Sequence, residues 1–378
     1  MSDVIPLGSP TFGEEELEAV RAVLASGWVA GQGPNCLEFE RRFAAMCGTA
    51  HAVATSNCTS ALHLALLALG VQPGDEVVVT DYTFPATGHA VMHAGATPTF
   101  ADVRPDIWTI DVAAAEASIS SRTVGIIAVD TFGQCADYDE LGAVARRHGL
   151  FLMEDAAAAT GATYKSRPAG SLADIGCFSF HGRKGITCGE GGALTTGRAD
   201  VSAFVRKLHA FGIESALVRQ GQNDLPVPVF DLLGYNYKLS DIAAAILLVQ
   251  LDRLPDLLAR RRTIATRYDE LLGDFELATC PVALPDRAHC WQAYVLSLDA
   301  RVPRGPVAAA LRERGVQCNF GTYASHVQPI YGNRQSCPVS ADLFARHLAI
   351  PMHANLTDEQ VEMVAGAVRQ VITDVVHS

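Results

Sequence analysis

Between residues 50 and 196, short apolar runs alternate with helix-like stretches, and no other feature constrains the fold as tightly. The runs 52–55, 76–80, 97–101, 124–130, 150–154, 175–180 and 193–196 read as strands. Segments 60–69 and 138–148 between them carry helical periodicity. Strands separated by helices are joined by crossovers, so the expected fold class is α/β, a mostly parallel sheet covered on both faces. Thr11 followed by Glu14 predicts a capping box for a first helix through Leu17, Val20 and Leu24. Segment 241–251 reads as a helix that Leu254-Pro255 interrupts, and 256–272 reads as another. A strand at 293–298 and helices at 306–314 and 357–375 follow. The expected division is a large domain, 1–250, and a smaller α/β domain, 251–378.

Composition narrows the function. The chain has 378 residues, 49% hydrophobic and 19% charged, enough to bury a large core. A net charge of −12 argues against nucleic-acid or anionic-membrane partners. Ten cysteines are scattered singly, without CxxC or zinc spacing, so no metal site is expected. The N-terminus lacks a basic region followed by an apolar run. No apolar stretch reaches the roughly 18 residues that span a bilayer. The expectation is a cytoplasmic protein with reduced thiols.

Chemistry concentrates at strand ends, where open α/β sheets bind ligands. The stretch 178–192, FSFHGRKGITCGEGG, sets Lys184 in a glycine-rich turn between two strands. Desolvating an ammonium is costly, so this loop either faces water or keeps a neutral, nucleophilic amine. The run 150–155, LFLMED, ends in two acids. Asp155 there can pair with a cationic ring nitrogen or cap the Ala-rich segment after it. SNCTSAL (56–62) opens a helix whose free N–H groups and Thr59 hydroxyl can take a phosphate, or simply form an N-cap. Ser179 can add a second hydroxyl. The pattern is neither GxxxxGK[ST] nor GxGxxG. A lysine, a strand-end aspartate and an anion cradle are what pyridoxal phosphate requires.

Together with DYTFPAT (81–87), EDAAAATGA (154–162), GYNYKLSDIAAA (234–245), SGWVAGQGP (26–34) and IPMHANLTDEQVEMV (350–364), these blocks resemble the DegT/DnrJ/EryC1/StrS family of sugar aminotransferases. The resemblance spans nearly the whole chain. It implies a type I pyridoxal-phosphate aminotransferase fold and a homodimer with shared active sites. It implies that Lys184 bonds covalently to the cofactor and that Asp155 pairs with its ring nitrogen. Cys58, Thr59 and Ser179 bind the phosphate, Phe84 stacks on the ring, and Asn236 reaches the phosphate of the neighbouring subunit. One position departs from the family: Ala158 stands where Gln or His commonly contacts the ring hydroxyl.

The implied reaction moves an amino group from glutamate to a keto sugar. FSFH, ending in His181, is similar to enzymes that aminate C4 of nucleotide-linked 4-keto-6-deoxy sugars. FSFQ marks those acting on keto-inositols, and a tyrosine-proline loop those acting at C3. Lys238 and His326 are candidates for the nucleotide diphosphate. A keto-inositol aminotransferase shares every cofactor residue. A non-catalytic regulator of the same fold has no need of the Lys184, Asp155 and Ser179 set.

Overall fold

A computed structural model describes residues 4–213, 230–332 and 335–377. Its centre is a seven-stranded sheet of β1 (His51–Thr55), β2 (Glu76–Thr80), β3 (Thr97–Ala101), β4 (Thr123–Val129), β5 (Phe151–Asp155), β6 (Ile175–Ser179) and β7 (Gly192–Thr196). The spatial order is β1-β7-β6-β5-β4-β2-β3. All neighbours run parallel except β7, which is antiparallel to β1 and β6.

Successive residues of each strand enter opposite cores, as a period of two requires. Ala54, Ile126, Leu152 and Phe178 face one layer, with Phe39, Phe43 and Leu247. Val53, Ile127, Met153 and Cys177 face the other, with Leu62, Leu64 and Leu66 of helix Cys58–Ala68. Burying each of the valines, leucines, isoleucines, phenylalanines and Met153 among them contributes about 1.5–3 kcal/mol. That alternation separates the paired acids ending β5. Glu154 follows Leu152, and both its oxygens accept the Gly170 N–H, at 2.8 and 2.9 Å. Asp155 follows Met153 toward helix Cys58–Ala68.

A separate core gathers Tyr268, Tyr294, Leu296, Leu311, Val361 and Val368 beside a second sheet. That sheet is β8 (Ala278–Thr279), β9 (Tyr294–Leu298) and β10 (His347–Ile350). Ile5 also packs in this core. The two cores share one helix, Asp241–Leu272, whose Leu247 and Leu254 enter the first and whose Ile264 and Tyr268 enter the second. The expected break at Pro255 is absent. Proline removes one backbone donor and crowds the preceding turn, a cost of about 3 kcal/mol. Leu254 and Leu257 are buried on either side of it, and that packing offsets the loss. A division at residue 250 therefore falls within one helix.

The first helix also starts later than the spacing predicts. It spans Glu14–Ser26 with Gly13 as N-cap, and Glu16 Oε2 accepts the Gly13 N–H at 2.7 Å. Gln250 of the long helix donates to Glu16 Oε1 at 2.8 Å and fixes that carboxylate there. Thr11 instead donates its hydroxyl to Asn355.

Candidate active site

Three strand ends and one helix start converge. Helix Cys58–Ala68 begins directly after Asn57, whose Oδ1 accepts the Ser60 N–H at 2.8 Å. The N–H groups of Cys58 and Thr59 precede the first intrahelical bond and meet no acceptor among the described residues. N–H groups so placed at a helix start can receive an anion. Gly192 at the start of β7 makes the approach possible. A Cβ there would lie 2.4 Å from the Asn57 carbonyl carbon and 2.6 Å from the Cys58 nitrogen. Ser179 ends β6 on the same sheet face as Asp155, since Asp155 pairs with Cys177 two residues earlier. Its hydroxyl has only a long contact, 3.4 Å, from the His181 N–H.

Asp155 is 4% exposed. Its Oδ2 accepts the Thr87 hydroxyl at 2.7 Å and its Oδ1 accepts the Ala157 N–H at 3.1 Å. Burial raises its carboxyl above the ordinary value, opposed by those two donors and by the charge of Lys184. No helix follows for Asp155 to cap: residues 156–162 form turns, with Ala156, Ala159 and Ala162 packed in the core. Lys184 is half-buried, and its N–H donates to His181 O at 2.8 Å to close the loop. Burial lowers its pKa from the ordinary 10.5, against the opposing pull of the Cys58 thiol, the Asp155 carboxylate and the Cys290 thiol. The site thus sets an amine of lowered pKa and a buried carboxylate beside the N–H donors of Cys58 and Thr59.

Phe84 is 64% exposed, and its ring lies 6.0 Å from that of Tyr323. It is therefore not a core residue, and its face is open to a ligand. At Ala158, where the family pattern departs, the carbonyl accepts the Cys290 thiol at 3.0 Å. Asn236 is exposed. Lys238 Nζ donates to its Oδ1 at 2.5 Å and lies 4.2 Å from the Phe211 ring. The segment runs along the cradle of its own chain, Ser56 N–H donating to Tyr237 O at 2.7 Å. His181 is exposed, 3.7 Å from Glu190. His326 is not open to a diphosphate as its spacing suggested. It is 5% exposed, with its N–H on Asp81 Oδ1 at 2.6 Å and its Nδ1 at 2.7 Å from Asp81 Oδ2. That pairing holds segment 323–326 against the end of β2, beside the ladder of Tyr82–Thr83 with Tyr323–Ala324.

Two contacts escaped sequence reasoning. Thr87 reaches Asp155 from a helix that the DYTFPAT block only opens. Gln292 Nε2 donates to Arg183 O at 3.3 Å and ties the start of β9 to the lysine loop. Thr87 lies on the helix Ala86–His93, and its hydroxyl is also 3.2 Å from that of Thr83 in the preceding strand.

Fold and site together define a pyridoxal-phosphate-dependent aminotransferase of fold type I. The chain belongs to the DegT/DnrJ/EryC1/StrS aminotransferase family, which matches residues 10–369. It is 37% identical to the spore coat polysaccharide biosynthesis protein SpsC of Bacillus subtilis, covering 97% of each chain. It is 36% identical to the GDP-perosamine synthase of Caulobacter vibrioides, covering 98% of this chain and all of that one. Among solved structures, Spr1654 of Streptococcus pneumoniae in its PMP form superposes with a TM-score of 0.93 at 29% identity, over 98% of this chain and 100% of that one. Among the described residues, no helix is long and apolar enough to cross a membrane.

Proposed function

We propose that this enzyme moves the amino group of glutamate to C4 of a nucleotide-linked 4-keto-6-deoxy sugar. The observation that carries the reading is the meeting of the Lys184 loop, the buried Asp155 ending β5 and the Cys58 and Thr59 amides opening their helix. Bound pyridoxal phosphate supplies an electrophilic carbon and a ring that takes up electrons when a bond at the substrate carbon breaks. Lys184 Nζ, whose pKa burial lowers, is the amine that would bond to the cofactor. As a free amine it would take the proton from the donor's α-carbon and return one to the sugar carbon. Asp155, oriented by Thr87 and Ala157, holds the ring nitrogen's proton by charge. The Cys58 and Thr59 amides, with the Thr59 and Ser179 hydroxyls, hold the phosphate, and Phe84 covers the ring.

The active species is a homodimer in which Asn236, held by Lys238, reaches the phosphate of the partner's site. Its exposure supports this role. The name of the GDP-perosamine synthase relative supports a nucleotide-linked sugar, and His181 in FSFH supports C4. The glutamate donor rests on the family resemblance. The test offers glutamate with a panel of nucleotide-linked 4-keto sugars, 3-keto sugars and keto-inositols, and reads the products by NMR. A 4-amino sugar is expected; turnover of a keto-inositol alone would overturn the substrate assignment.

A further inference from the structure

A cavity of about 690 Å³ lies against the lysine loop and extends beside the second core. Its size suits a ligand larger than an amino acid. Arg183, the residue before Lys184, forms one wall and Arg312 forms another. The chain carries 41 acidic residues against 29 lysines and arginines, yet no aspartate or glutamate lines this cavity among the described residues. Neither guanidinium has a carboxylate partner among them. Arg312 Nη2 donates instead to the Cys318 carbonyl at 3.2 Å, which ties the head to the cavity wall. Gln317 lines the cavity too, its Oε1 taken by the Leu7 N–H at 3.1 Å, which leaves its amide nitrogen as the free end. Asn319 is fixed likewise, its Oδ1 accepting the Phe320 N–H at 2.9 Å. Gln292 is the exception, its Nε2 spent on the Arg183 carbonyl; two arginines and no acid make the lining locally positive on an acidic protein. Phe320 adds an aromatic ring to the same lining.

We infer that this cavity is the seat of the nucleoside diphosphate: Arg183 and Arg312 take the diphosphate oxygens, and the base lies toward Phe320. Guanidinium forks match phosphate geometry, and an aromatic ring offers a stacking face to any base. The inference rests on the proposed nucleotide-sugar function and gives that substrate's anionic half a location.

The test titrates the cofactor-loaded enzyme with dTDP, UDP and GDP by calorimetry, then repeats it with Arg183→Gln and Arg312→Gln. Arg21→Gln, an exposed residue paired with Glu18, serves as control. At least one nucleotide is expected to bind, each cavity variant to weaken it about tenfold or more, and added salt to weaken it further. Both variants binding as tightly as the unaltered enzyme would overturn the cavity assignment, while turnover of nucleotide-linked keto sugars would leave the function standing. An unaltered enzyme that binds no nucleotide and aminates only unlinked ketones would overturn the function, and the cavity assignment with it.

Discussion

Thr87 Oγ1 donates to Asp155 Oδ2 at 2.7 Å, across 68 residues of sequence, and both side chains are buried. A hydrogen bond to a buried carboxylate favours its charged form. Thr87 therefore orients the carboxylate and favours its ionised form against the burial that raises its pKa.

Thr87→Val keeps the shape and removes the donor. Hydrogen bonds to charged groups contribute about 1.5–3 kcal/mol. The variant should fold, retain pyridoxal phosphate more weakly, and lose about ten- to a hundredfold in turnover. Cofactor dissociation followed by absorbance, together with steady-state rates, checks this. Unchanged values in both would mean that Asp155 needs no hydroxyl partner.

Burial disfavours the charged form of Lys184, so its amine should become free at a lower pH than an ordinary lysine. In cofactor-free protein, labelling of Lys184 by an amine-selective reagent should rise with pH, with a midpoint below 10.5. Asp155 opposes the shift, so Asp155→Asn should move the midpoint lower still. A midpoint at or above the ordinary value would show that the loop is open to water.

Gly192 is where β7 passes the cradle. Gly192→Ala would set a Cβ against the Asn57–Cys58 peptide, a clash with backbone that a rotamer change cannot relieve. We expect about 1–3 kcal/mol of destabilisation in denaturant unfolding and a larger proportional loss in cofactor affinity than in stability. Unaltered cofactor affinity would remove the Cys58 and Thr59 amides from the phosphate site.

Asn236 tests the shared site. Lys184→Ala and Asn236→Ala subunits are mixed and allowed to exchange. If Asn236 acts across a two-fold interface, each heterodimer regains one site with both residues intact, and activity rises above either parent. No gain after verified exchange, with Asn236→Ala itself impaired, would assign the residue to its own chain. The Ser56–Tyr237 contact makes that outcome sterically open.

The sheet and the centre of the site were legible because both are local patterns. Seven apolar runs marked seven strands within a residue or two. The glycine-rich lysine loop and the Asn57 cap each lie within a few consecutive residues. What stayed hidden depends on tertiary packing. The alanine run after Asp155 looks helical, yet core packing of Ala156 and Ala159 and a left-handed Gly161 (φ +86°) turn the chain instead. Pro255 reads as a break, yet two buried cores hold its helix together. Thr87 carries no local signature of its contact, because its partner Asp155 lies 68 residues away. His326 was misread because Asp81, its partner, lies 245 residues away.

The most direct test of the account is a label. Glutamate carrying ¹⁵N in its amino group is supplied with the enzyme and a nucleotide-linked 4-keto-6-deoxy sugar, and the product is read by ¹⁵N-edited NMR. The account predicts ¹⁵N bonded to C4 of the sugar, and no transfer by Lys184→Ala. A sugar left unlabelled by an enzyme that retains its cofactor, or label at C3, would contradict it.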